Sequence, residues 1–341
     1  MSDASFQYLR LQSGDSPPAD PRFVDVHLLD MNHRFQNAGH ASIVAQVRRI
    51  ADDLKPALAG AGASVRLISY DVRDAIVIPR LPEGEAPALY LGTGGPGHLD
   101  PRLNARDAVD EGEIYESEAW EQPLFELYSA IEEHGRAMFY GVCHSFGLLC
   151  RWSGVAHPVL RGPAKSGPSI GIVDNVLTQQ ALRHPWFSRL AAHLPDGVHL
   201  PVVDSRHYDL IPKRASFPRG ITPIAFESTT AGTMGEALTM CEFARKPNGV
   251  PRVFAANHHP EIPDASELIA LLERKLAEGG VTREWYESRA ALVKQLQADD
   301  HSEPARLLAA GYSFGFLVRD GLKELIEWRR ERRGRAISEA L

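Results

Sequence analysis

The sequence predicts a doubly wound α/β protein: a mostly parallel sheet with helices on both faces, an antiparallel addition and a helical C-terminal extension. Three observations predict it. As far as Arg151, short apolar runs alternate with helical periodicity at the pitch of βαβ units. Beyond Arg151 the apolar runs are short and close together, as antiparallel pairing requires. From Ala265 onward only helical periodicity remains.

Taken in order, residues 1–21 read as a flexible N-terminal arm, because Ser13 to Pro21 is rich in Ser, Pro and Asp. Residues 22–280 read as the α/β domain. Phe23 to Met31 is apolar enough for a strand buried on both faces. Ala41 to Leu58 repeats Ile43, Val44, Val47, Ile50 and Leu54 at helical steps, and Gly60-Ala61-Gly62 stops it. Strands follow at Ser64–Tyr70 and Ala88–Leu91, then a helix from Glu118 to His134 and a strand at Ala137–Val142. The addition comprises Ile170–Leu177, His199–Val203, Ile221–Phe226, Ala237–Phe243 and Arg252–Ala256. Helices are expected near 265–278, 282–298, 304–310 and 319–332, so residues 281–341 form the extension.

Composition narrows the function classes. The 341 residues are 44% hydrophobic and 24% charged, which suits a globular chain with a sizeable core. A net charge of −7 gives no electrostatic support to a general nucleic-acid role. The cationic run from Arg329 to Arg335 therefore reads first as a solvated helix face. No stretch approaches the roughly 18 apolar residues of a membrane span, and the N-terminus lacks the pattern of a signal peptide. Three cysteines point to a reducing compartment, so a cytoplasmic protein is expected. The spacing of Cys143, Cys150 and Cys241 suits no zinc site, and neither metal nor cofactor is expected.

Three strand-end motifs carry chemistry. At Gly141-Val142-Cys143-His144-Ser145 an apolar strand reaches a cysteine and turns at once into a helical stretch. Small residues at −2 and +2 leave room for a sharp elbow, and the helix N-terminus favours thiolate over thiol. A lone cysteine is otherwise a small buried hydrophobe. The second motif, His259-Pro260-Glu261, ends another strand, and side chains two apart on extended chain point the same way. Glu261 would orient the His259 imidazole while His259 takes the thiol proton. His258 would point to the other side. In the third, Gly94-Gly95-Pro96-Gly97, glycines let backbone approach a reacting centre. The amides of Gly95 and His144 are the natural oxyanion donors.

Taken in chain order, glycine loop, cysteine elbow and His259-Pro260-Glu261, on matching strands, the three motifs resemble the class I glutamine amidotransferases over roughly residues 22–280. The resemblance implies a flavodoxin-like fold and a thioester mechanism with Cys143, His259 and Glu261 as triad. Cys143 would attack the carboxamide of a small-molecule substrate, glutamine above all, and release ammonia. Two departures stand out. The family elbow reads Cys-x-Gly-x-Gln; here Ser145 replaces the glycine, and Gly147 stands where the substrate-binding glutamine would be.

The segment Val203-Asp204-Ser205-Arg206-His207-Tyr208-Asp209 lies where the family places a substrate strand, and it also looks like that of homoserine O-succinyltransferases. Gly94, Ser205, Arg206 and His207 are the candidate substrate-binding residues, with Arg206 holding a carboxylate; a surface hairpin with a salt bridge fits equally. Asn32, His33 and Arg34 read as loop before function. An acyltransferase using the same triad is the alternative activity, and a non-catalytic ligand-binding relative the third reading. The chain shows no synthetase signature, so ammonia would pass to a separate synthetase subunit or be a by-product. The extension, with Trp285, Tyr286, Tyr312, Phe314, Phe316 and Trp328, reads as a docking or homo-oligomer element, or as helices packed on the parent domain.

Overall fold

The computed structural model describes residues 5–14, 16–33, 38–104, 116–162, 167–214, 216–262 and 302–340, with scattered positions between 269 and 291. Six strands run parallel: β1 (Phe6–Leu11), β2 (Phe23–Asp30), β3 (Ser64–Asp71), β4 (Ala88–Gly92), β5 (Ala137–Val142) and β12 (Pro251–Ala256), in the order β1-β3-β2-β4-β5-β12. The sheet continues antiparallel from β12 through β11 (Met234–Arg245), β10 (Thr222–Ser228) and β7 (Ser169–Leu177) to β8 (His199–Arg206). A branch pairs β6 (Ala156–Leu160) with β9 (Tyr208–Pro212), and β9 with β11. This is the flavodoxin-like α/β fold with its antiparallel addition.

Strand alternation divides the interior in two. Val24, Val26, Leu28, Val65 and Leu67 face a core shared with α1 (Ala38–Asp53) and α2 (Lys55–Ala61). Leu29, Ile68, Tyr70 and Tyr90 face another, shared with α4 (Glu121–His134) and α5 (His144–Ser153). The short helices α3 (Pro101–Asn104), α6 (Gln179–Leu182) and α7 (Phe187–Ala191) lie in the connections. With both faces covered, the central parallel strands β4 and β5 are apolar along their whole length.

Several expectations need correction. The arm is not wholly flexible, since Phe6–Leu11 pairs in parallel with Val65–Tyr70 as an edge strand and packs Phe6 and Tyr8 on the core. Its Gln7 and Arg10 face outward, so the segment looked too polar for a strand. The helix read through Leu58 breaks between Asp53 and Lys55, where Pro56 opens a new helix instead of continuing the old one. Strands β6 and β9 were not expected. The segments near 265–278 and 282–298 lie largely outside the described residues, as do Arg34 and Trp285.

The last helices complete the parallel sheet's cover. After α8 (Glu303–Ala310) and a π-turn at Gly311–Gly315, α9 (Phe316–Ala340) buries Leu317, Val318, Leu322, Leu325 and Ile326 in the core of α1 and α2. Gly321 allows this approach: a Cβ there would lie 3.2 Å from Leu89 Cδ1. Phe314 is fully buried, the Trp186 indole donates to the Tyr312 carbonyl at 2.9 Å, and the Arg136 guanidinium covers Trp328. Packing on the parent domain thus accounts for these aromatics, while Phe316 is 44% exposed. Among the described residues no helix is long and apolar enough to cross a membrane.

Register brings four strand ends to one level. Leu29 of β2 lies opposite Gly92 of β4, Gly92 opposite Gly141 of β5, and Val142 opposite Ala256 of β12. The loops leaving these ends meet at the carboxyl edge of the sheet, where ligands bind in open α/β folds.

Candidate active site

Cys143 sits between the end of β5 and the start of α5, with φ 49° and ψ −102°. A non-glycine residue with such angles is strained by about 1–3 kcal/mol, so the surroundings must hold it. Its amide donates to the Ala256 carbonyl at 2.7 Å, and its carbonyl accepts from the Gly147 amide at 3.0 Å. Ser145, fully buried, donates to the Thr93 carbonyl at 2.7 Å and ties the elbow to the glycine loop. Gly92 and Gly141 make room for it: a Cβ on either would lie 2.7 or 3.2 Å from Ser145 Cβ. Ser145 is therefore a brace.

His259 follows β12, and its amide donates to the Val203 carbonyl of β8 at 2.8 Å. Nδ1 lies 2.8 Å from Glu261 Oε1; the ionised carboxylate only accepts, so Nδ1 carries the proton. This leaves Nε2 for other work, 3.4 Å from the Ser205 carbonyl, which is itself 4.0 Å from Cys143 Sγ. Burial alone would lower the His259 pKa. The charge of Glu261, and the charge and hydrogen bond of Cys143, outweigh it and hold the imidazole well above its ordinary value. Gly94 backs directly onto the pair, since a Cβ there would be 3.2 Å from His259 Cε1 and 3.4 Å from Cys143 Cβ.

His258 turns the other way, as alternation requires. It is buried with Nε2 3.5 Å from Ser313 Oγ, and burial pushes its pKa down to about 3, helped by the charges of His259 and Arg206. Adjacent imidazoles thus titrate in opposite directions. The stabilisation from charged His259 is complete below its unfolded value of 6.5 and is lost as pH rises through the higher folded value. That from neutral His258 is present above 6.5 and is lost as pH falls towards about 3. Imidazole nitrogen shifts recorded against pH should show His259 charged and His258 neutral at pH 6.5.

The glycine loop is clamped from beneath. Thr93 Oγ1 accepts from the Met31 amide at 2.9 Å and donates to the Gly94 carbonyl at 2.7 Å. Arg73, with a fully buried side chain, donates to the carbonyls of Met31 and Pro96 at 2.8 and 2.7 Å. It also forks onto Glu116 at 2.8 and 2.7 Å, and Glu116 in turn accepts from Asn104 and from the Trp120 indole. Gly95 has no room for a side chain, which would run into the Met31 carbonyl. As first residue of α5, His144 has an amide with no intrahelical acceptor. Its ring is buried and held well below its ordinary pKa by burial and by Arg73, Arg151 and His98, while contact with the Gly95 backbone opposes this.

Of the substrate candidates, Gly94 lies against the pair, and exposed Ser205 presents its carbonyl to it. His207 occupies the turn between β8 and β9, half-buried. Arg206 corrects the expectation of a carboxylate grip. It is 3% exposed and donates to Asp204, Asp209 and Glu227 at 2.6, 3.2 and 2.7 Å. The salt-bridge reading fits it; a substrate would have to displace buried partners. Asn32 is buried against Asp30 and Thr93 behind the glycine loop, a structural place.

Sequence reasoning missed Arg73, Glu116, Thr93 and Leu99. Nothing local marks Arg73, whose partner is 43 positions away. Leu99 is 4% exposed and packs on Gly147, where a Cβ would lie 2.6 Å from Leu99 Cδ2. Gly147 thus backs onto an aliphatic side chain. Among the described residues no group of three His, Cys, Asp or Glu could hold a metal ion.

No protein-family model matches the sequence, and no curated protein matches it. Solved structures do. A protein assigned as a GMP synthase subunit, from Thermoplasma acidophilum, is 13% identical over 69% of this chain and 84% of its own, with a TM-score of 0.38. SMU.1228c is 16% identical over 85% and 97%, at 0.46. A ThuA-like protein from Bacteroides uniformis is 10% identical over 72% and 86%, at 0.34. These likenesses are distant, and the chemistry rests on the geometry alone.

Proposed function

We propose that the chain is an amidohydrolase of the glutamine amidotransferase type, acting on a small-molecule carboxamide through a thioester on Cys143. The observation that carries this reading is the strained elbow cysteine beside an imidazole whose far nitrogen is bound to Glu261 at 2.8 Å. With the thiol proton already held on the charged His259 ring, the Cys143 sulfur adds to the carboxamide carbon. The oxyanion that forms is met by the amides of Gly95 and His144. Imidazolium returns the proton to the nitrogen as the C–N bond breaks and ammonia leaves. Water, deprotonated by His259, then adds to the thioester; the acid departs and the thiol is restored.

Leu99 favours a second reading of the substrate. With an aliphatic group beside Gly147, free glutamine loses the polar contact that the family supplies there, which leaves room for another amide or for acyl transfer. Arg206 weakens the transferase alternative, because its guanidinium already serves three carboxylates. Ammonia would go to a separate synthetase subunit or to solvent; a homo-oligomer through the last helices is a further proposal.

Parallel assays separate the readings. Ammonia release from glutamine and from amides with apolar acyl groups is the expected result. Acyl-CoA consumption with homoserine-like acceptors, without ammonia release, would replace this reading with the transferase. Silence in both would leave a ligand-binding relative.

A further inference from the structure

The cationic run at the end of α9 does not simply face solvent. A cavity of about 720 Å³ opens at the amino ends of β2 and β4, the edge of the sheet opposite Cys143. Arg80, Arg329, Arg332 and Arg333 line it, with Trp328 and Phe23 as apolar wall. That volume is in the usual range for a small-molecule site.

Charge is what distinguishes it. Arg329 donates to the Pro21 carbonyl, and among the described residues none of the four arginines makes an ion pair. Among the described residues the wall's one carboxylate is Asp25, already held by Arg66 through two bonds of 2.6 and 2.7 Å. Arg329, Arg332 and Arg333 stand at i, i+3 and i+4, on one helix face, where like charges repel. They precede the end of α9 at Ala340 by about two turns, so the helix dipole gives them little in return. Gly62 clears the way for one of them: a Cβ there would lie 2.9 Å from Arg333 Cζ. Four cations lining one cavity, in a chain whose net charge is −7, make it a place that favours an anion.

We propose that this cavity binds a small, soluble, phosphate-bearing ligand, gripped by Arg80 from one side and by Arg329, Arg332 and Arg333 from the other. Guanidinium forks match phosphate oxygens bidentately, and several in one cavity select for more than one negative charge. The site is independent of the chemistry at Cys143.

Calorimetric titration of the full chain with inorganic pyrophosphate tests it, beside vesicles of phosphatidylserine and phosphatidylcholine. Saturable binding of one pyrophosphate per chain is expected. The exposed pair Arg332→Ala/Arg333→Ala should weaken it at least tenfold and Arg80→Ala severalfold, with Arg335→Ala, outside the cavity, close to the parent. Absence of saturable binding, or an equal loss in Arg335→Ala, would overturn the proposal. So would binding to the vesicles but not to pyrophosphate, which would assign the arginines to a membrane surface.

Discussion

Cys143→Ala should abolish turnover while the chain keeps its fold, with kcat falling by on the order of 10³ or more. Alanine removes the nucleophile and substitutes a side chain no larger at an elbow that already holds a Cβ. His259→Ala should lose comparable activity, because it removes the imidazole that holds the thiol proton. Glu261→Gln should lose less, since an amide still orients the ring but cannot stabilise its cation. Stability gives an independent reading of the same residue. At φ 49° glycine has no Cβ to strain, so Cys143→Gly should be inactive yet more stable than Cys143→Ala by about 1 kcal/mol in denaturant unfolding. A Cys143→Ala protein with full activity would end the thioester account whatever the fold.

The second large effect concerns a residue that touches no substrate. Arg73→Met should destabilise the chain by about 3–5 kcal/mol, the cost of leaving a buried charge without its partner. Glu116 would lose both forked bonds, and the carbonyls of Met31 and Pro96 would lose their donor. Arg73→Lys keeps the charge but cannot fork onto Glu116 while reaching both carbonyls. It should be more stable than Arg73→Met and still catalyse poorly, because the glycine loop is no longer fixed from below. Urea unfolding and kcat measured on both variants check this; equal kcat for Arg73→Lys and the parent would reject the clamp.

What could be read in the sequence follows from where its information is local. Strands buried on both faces are continuous apolar runs, so β4, β5 and β12 stand out, and their ends locate Gly94, Cys143 and His259. The edge strand β1 hid behind Gln7 and Arg10, because an edge needs only part of its surface covered. Position 206 showed an arginine but not its company: Glu227 comes from β10 and Asp209 from the next strand, and only the sheet brings them together. Gly147 was legible as an absence, whereas Leu99, which fills the space, lies 48 positions earlier in a loop without pattern. The clamp of Arg73 on Glu116 joins two loops in the same way. Buried pairings across long separations leave no periodic trace.

The central claim is that Cys143 is a nucleophile activated by His259, and competitive alkylation measures it most directly. Native protein is treated with limiting iodoacetamide, and the modified cysteines are located by mass after digestion. Burial raises the thiols of Cys150 and Cys241 well above their ordinary values, so both should stay unmodified while the chain is folded. Cys143 should take the label first and nearly alone, and in His259→Ala its rate should fall at least tenfold. Label spread evenly over the three cysteines, or a Cys143 rate unchanged in His259→Ala, would contradict the account.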